Sequence, residues 1–150
     1  IGMNVLFTDK FVGKTKINLN LANNKKISFD LESSDMTELL KNSDFVSLHV
    51  PAQKSYVIGK NEFNLMKTGA GLINAARGGV VDENSLIESL DSGKLAFAGV
   101  DTFENEPKPS VKLLMHPKVS LTPHIGAATN EAQDRIGIEL ANQIMKLVKG

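Results

Sequence analysis

Between residues 45 and 122 the chain alternates short apolar, β-rich runs with short helical stretches, and each run breaks off in polar or turn-forming residues. The runs are FVSLHV at 45–50, stopped by Pro51; GLINA at 71–75, leading into Arg77-Gly78-Gly79; FAGVDTF at 97–103; and 119–122, directly before Pro123-His124. Between them the spacing predicts a helix over 61–66 and another over 83–90, capped by Asp82 and stopped by Gly93. Strands that alternate with helices join as parallel neighbours, so this rhythm predicts an α/β fold, a parallel sheet with helices on both faces. Ligands in such folds lie beyond the carboxyl ends of the strands, which makes the polar residues there the informative ones.

The flanks are less regular. MNVLFT at 3–8 reads as a buried strand ending at Asp9, and KINLNL at 16–21 and KISFDL at 26–31 as a hairpin that turns at Asn23-Asn24. Ser34 or Asp35 caps a short helix through Lys41. Thr129 or Asn130 starts a final helix over about 130–149, with Asn130 and Gln133 as a capping box. Ala132, Ile136, Leu140, Ile144 and Leu147 recur there at helical spacing and form one apolar stripe.

Charge and composition narrow the function. Seventeen basic residues balance seventeen acidic ones, so no general field draws nucleic acid or an anionic membrane. The chain has no cysteine, which removes disulfides and thiolate nucleophiles, and its ligand-type residues do not cluster at metal-binding spacing. No apolar run is long enough to span a bilayer and no signal-peptide layout opens the chain, so a cytoplasmic location is the expectation.

Three strand-end loops bring Arg77, Glu106 and His124 to one edge of the sheet, with Asp9, His49, Val50, Pro51, Ala75, Ala76 and Asp101 at the same ends. Arg can grip a carboxylate through two bonds, His can take a hydroxyl proton, and a carboxylate can orient the imidazole. Such a set suits hydride chemistry on a hydroxy acid. Taken singly each has a plainer reading: Arg77 as a surface or capping residue, Glu106 as a solvated loop charge, His124 as a cap for the coming helix. Asp101 is different, because a carboxylate in an apolar strand requires a partner. His116 reads as a turn residue, Asp82 as a helix cap and Arg135 as helix surface.

The segments SLHVP (47–51), LINAARGGVVDENSL (72–86), FAGVDTFENEP (97–107) and LTPHIGAATNEAQ (121–133) together resemble the D-isomer-specific 2-hydroxyacid dehydrogenases. The resemblance implies a Rossmann-like doubly wound parallel sheet and NAD as cofactor. It implies that Arg77 anchors the substrate carboxylate, that His124 is the acid/base, and that Glu106 orients it. Asp101 resembles the residue that bonds the nicotinamide carboxamide, and Asp9 the one that binds the adenosine ribose hydroxyls. His49, Val50, Pro51, Ala75, Ala76 and Gly126 fall at the remaining cofactor contacts. A carboxylate at Asp9 also repels a 2′-phosphate, which favours NAD over NADP. HVPAQK, GLINAARGGVVDE and SLTPHIGAATNEAQDRIG are most similar to the phosphoglycerate-oxidising branch of the family. That branch implies oxidation of D-3-phosphoglycerate to 3-phosphohydroxypyruvate, the entry to serine synthesis. Glyoxylate or hydroxypyruvate reduction and D-lactate oxidation are the alternatives within the family. An NAD-responsive binding protein of the corepressor kind, or an inactive fragment, is the alternative outside it.

Two parts of the family pattern are not found. The G-x-G-x-x-G loop that cradles a pyrophosphate should precede Asp9 by about twenty residues, and it belongs with the first strand of the sheet. The expectation is therefore an incomplete nucleotide-binding domain over 1–150 of a truncated protein, whose final helix packs back toward an absent substrate domain. Unpaired strand edges and exposed apolar surface should follow, leaving the 150 residues by themselves poorly stable and inactive. The family also implies a homodimer.

Overall fold

The computed structural model describes residues 2–22 and 25–149. In chain order the elements are β1 (Lys14–Asn20), β2 (Lys26–Glu32), α1 (Met36–Asn42), β3 (Phe45–Leu48), α2 (Lys60–Leu65), β4 (Ala70–Asn74), α3 (Glu83–Asp91), β5 (Leu95–Val100), α4 (Val111–Leu114), β6 (Val119–Leu121) and α5 (Asn130–Lys149). β1 and β2 form an antiparallel pair, and β3-β4-β5-β6 form a parallel sheet in that order. The hairpin expected over 16–31 is present; the expected turn at Asn23-Asn24 lies outside the described residues.

The sheet runs in one direction from β3 to β6, and right-handed crossovers then place the connecting helices on a single face. This is one half of a doubly wound arrangement. Leu40 of α1, Phe63 of α2, Leu86 and Leu90 of α3 and Leu113 of α4 close over Val46, Leu48, Leu72, Ala98 and Val100 of the sheet to make the core. Local chemistry starts the helices where expected. Asp35 accepts from the Thr37 and Glu38 amides, and Asp82 from those of Asn84 and Ser85. Gly93, at φ 77°, ends the turn after α3.

The opposite face of the sheet carries Phe45 and Phe97, whose rings lie 6.0 Å apart and remain exposed, Phe97 over the backbone of Gly71. α5 is amphipathic as its stripe foretells, yet Ile136, Leu140, Ile144 and Leu147 are all exposed.

Three expectations are corrected. Residues 3–8 do not form a strand: only Phe7 bridges, in parallel, to Ser33, and Met3, Val5 and Leu6 are exposed. A strand persists only where a neighbour takes up its amides and carbonyls, and here the Ser33–Ser34 backbone is the neighbour, through Ser34 N–H to Phe7 O. β5 begins two residues earlier than expected and ends at Val100, before Asp101. The short helix α4 had no signal strong enough to mark it. The capping box at Asn130 is replaced by Thr129, whose hydroxyl accepts from the Ala132 amide, while the Gln133 side chain donates to Ala127 O.

Candidate active site

The loops after β4, β5 and β6 carry Arg77, Glu106 and His124. His124 Nδ1 lies 2.8 Å from Glu106 Oε2, and Glu106 Oε1 accepts from the Phe103 amide at 2.9 Å. The backbone bond from Phe103, followed by the bond from His124, holds the Glu106 carboxyl below its usual range. An ionised carboxylate only accepts, so the imidazole proton facing it sits on Nδ1 and leaves Nε2 as the basic nitrogen. His124 holds φ 57°, a left-handed backbone uncommon outside glycine that clusters at functional positions.

Asp101 is buried and supplies the anchor for that backbone. Its Oδ1 accepts from the Thr122 hydroxyl at 2.5 Å and the Ile125 amide at 2.9 Å, and its Oδ2 from the Gly126 amide at 2.9 Å. Burial pushes the Asp101 carboxyl up, but the Thr122 hydroxyl and the two amides outweigh it and hold the group below its usual range. The partner that a carboxylate at this position required is thus the His124 loop itself. A side chain on Gly126 would sit 3.0 Å from Asp101 Oδ2, which explains the small residue there.

Arg77 is exposed, and its Nη1 donates to Ala76 O at 2.6 Å. Its turn is stapled by buried Asn74, whose Oδ1 accepts from the Ala76 amide and whose Nδ2 donates to Arg77 O. Asn74 went unnoticed in the sequence, although a polar residue closing an apolar strand was a usable signal. Thr122, Glu83 and Glu104 were missed as well, being readable only once their partners are known. Glu106 and His124 are in direct contact, whereas the Arg77 side chain bonds to Ala76 O and its loop meets theirs elsewhere. A Cβ on Gly78 would fall 1.9 Å from Phe103 O, so the two loops touch main chain to main chain.

The other expected contacts spread outward along the rim. His49 Nε2 lies 2.9 Å from Ser47 Oγ, Val50 is half-buried, Pro51 and Ala75 are exposed and Ala76 is buried. Asp9 stands on the hairpin side, its amide on Ser33 Oγ and its Oδ1 accepting from Phe11 and Val12. Those two backbone bonds hold its carboxyl below the usual range. Among the described residues no group of three or more His, Asp or Glu side chains forms a metal site, and no helix is long and apolar enough to cross a membrane.

Residues 1–126 match the family described as "D-isomer specific 2-hydroxyacid dehydrogenase, NAD binding domain". The chain is similar to D-3-phosphoglycerate dehydrogenase of Archaeoglobus fulgidus, 40% identical over 151 residues that cover 99% of this chain and 27% of the relative. It is 47% identical to hydroxypyruvate reductase of Thermotoga maritima over 121 residues, 77% of this chain and 40% of the relative. Among solved structures it resembles D-lactate dehydrogenase from Aquifex aeolicus complexed with NAD and lactic acid, with a TM-score of 0.64 and 36% identity over 80% of this chain and 41% of that one. The chain thus spans well under half the length of these relatives.

Proposed function

The chain belongs to the D-isomer specific 2-hydroxyacid dehydrogenase family, and from that membership we propose that the protein it forms part of oxidises a D-2-hydroxy acid with NAD, D-3-phosphoglycerate being the substrate we favour. The observation that carries this reading is the Glu106–His124 pair, at 2.8 Å, on a loop pinned by Asp101.

The residues suit the cofactor. Gly126 leaves the approach to Asp101 free of a side chain, and Asp9, whose Oδ1 takes the Phe11 and Val12 amides, has its second oxygen, without a backbone amide among the described residues, to offer ribose hydroxyls. When bound, NAD supplies the hydride acceptor. His124 Nε2 takes the hydroxyl proton as the carbonyl forms, and Glu106 stabilises the imidazolium through Nδ1–H. Arg77 offers a planar fork of donors to the substrate carboxylate. In the reducing direction the same imidazolium returns the proton.

Identity over nearly the whole chain to a phosphoglycerate dehydrogenase supports the substrate, while a hydroxypyruvate reductase at higher identity over a shorter span keeps the second substrate class in play. The exposed stripe of α5 supports the reading that this helix seats on a substrate domain, with 1–150 as part of the nucleotide-binding domain. Family membership carries one further expectation, a homodimer; the cytoplasmic location rests on the sequence alone.

The test is absorbance at 340 nm with the protein in full, including any flanking segments its gene encodes, across phosphoglycerate, glyoxylate, hydroxypyruvate and D-lactate. Turnover of phosphoglycerate, lost in Arg77→Gln chiefly through a raised KM, is the expected result. Preference for glyoxylate overturns the substrate, and an Arg77→Gln variant with unchanged kinetics overturns the site.

A further inference from the structure

Glu83 and Glu104 exchange hydrogen bonds across the seam between the Arg77 and Glu106 loops. The Glu83 amide donates to Glu104 Oε1 at 2.9 Å, and the Glu104 amide donates to Glu83 Oε1 at 2.8 Å. Glu83 is only 7% exposed. The exchange lies beside the point where Gly78 meets Phe103 main chain to main chain, so backbone contact and paired carboxylates close the seam together.

A third loop is tied to the same place. Val57 and Ile58 donate to Val80 O, and Asp82 donates to Ile58 O, which lays the loop after β3 along the Arg77 loop. From that loop Tyr56 comes close enough to Glu104 that the carboxylate's negative charge foremost raises the pKa of its hydroxyl. On the other side, Phe103 donates to the Glu106 carboxylate that holds His124. Glu104 is therefore bonded through its own amide and its side chain to the Arg77 side of the seam, while the residue before it bonds Glu106.

Placing two carboxylates across one contact is unfavourable, and a simpler cap for α3 was available: Asp82 already takes the Asn84 and Ser85 amides. Burial pushes the Glu83 carboxyl up, and although the Glu104 amide opposes this, the Glu104 charge adds to it. What the pair provides and an ordinary cap does not is a fixed span between two loops from different strands.

We propose that Glu83 and Glu104 form a reciprocal clamp that sets the distance from Arg77 to the Glu106–His124 pair, which makes both of them positioning residues. The proposal rests on the dehydrogenase reading of those three side chains. Arg77 holds one end of the substrate and His124 acts on the other, so an error in the span between them spoils the approach geometry. A displacement of about 1 Å at a reacting centre costs on the order of 10²-fold in rate.

The test uses Glu83→Ala, Glu104→Ala, both together, and Glu83→Gln and Glu104→Gln, made in the full protein with Arg77→Gln in parallel. kcat, KM for the hydroxy acid, NADH affinity by fluorescence, and thermal unfolding are measured for each. Either alanine variant is expected to lower kcat about 10²-fold and raise KM, with NADH affinity unchanged. The double variant should be worse than either single, because each alanine removes one of the two bonds and leaves the other, whose backbone donor remains. Each glutamine keeps a carbonyl oxygen for the partner amide and should restore near-parental turnover. Alanine variants that melt earlier but turn over normally overturn the clamp, as do glutamine variants as slow as the alanines. If Glu83→Ala does not fold, the half-exposed Glu104 variants decide alone. Loss of turnover in Arg77→Gln with none in the alanine variants refutes the clamp only, whereas no loss in Arg77→Gln refutes the site on which it rests.

Discussion

Replacing Asp101 with Asn removes one charge and converts one acceptor oxygen into a donor, without changing the shape of the side chain. Both carboxylate oxygens are in use: Oδ1 by the Thr122 hydroxyl and the Ile125 amide, Oδ2 by the Gly126 amide. The amide orientation that keeps Oδ1 turns an NH2 group toward the Gly126 N–H, and the reverse orientation turns it toward Ile125. The first is less costly, since it loses one bond and the Thr122 hydroxyl keeps its acceptor. A hydrogen bond to a charged group contributes about 1.5–3 kcal/mol, and two opposed donors add to its loss, so the substitution should cost about 2–4 kcal/mol. At about 2–4 °C per kcal/mol for a chain of this size, Tm falls by roughly 5–15 °C. Turnover should fall with it, because Ile125 and Gly126 directly follow His124 and hold its left-handed backbone. The checks are calorimetry or urea unfolding together with kcat at saturating NAD, and Thr122→Val should give a smaller effect of about 1 kcal/mol by removing a single bond. An Asp101→Asn protein with parental Tm and parental kcat would refute the claim that this carboxylate holds the His124 loop.

Acid lability follows from the same groups. Asp101 and Glu106 are held below their ordinary ranges, so the stability they contribute is present above the unfolded carboxylate pKa of about 4 and is lost as pH falls through their folded values. Glu83 has the opposite sign: its contribution is present at low pH and lost as pH rises through its raised value. Urea unfolding from pH 3 to pH 7 should show a steep acid limb that Asp101→Asn flattens, and an identical limb in that variant would count against the assignment. In the core, Leu72 is fully buried in β4, and Leu72→Ala should cost about 2–5 kcal/mol in urea unfolding; less than 1 kcal/mol would mean the sheet is not packed as described.

How much could be read in advance depended on whether the signal was local. Asp35, Asp82 and Gly93 mark helix ends through bonds or dihedrals within a few residues, and so they stand where the sequence put them. β3, β4 and β6 fall within two residues of their expected ends, because each is a short apolar run cut off by a polar group. The 3–8 segment has strand composition too, yet strand formation requires a partner, and the only described pairing is one bridge at Phe7.

The candidate site divides in the same way. By themselves the residues determined which groups are present: a guanidinium, an imidazole and a carboxylate at the ends of successive strands, within motifs specific enough to imply a family. Only the tertiary structure decided how they are held. That Asp101 is bonded to the loop 24–25 residues further on, and that Glu83 and Glu104 meet 21 residues apart, depends on strand order and crossover hand, which bring distant loops to one rim. Hydrogen bonds between such loops have no period and no fixed spacing in the chain, so they become visible only when the sheet has brought their partners together.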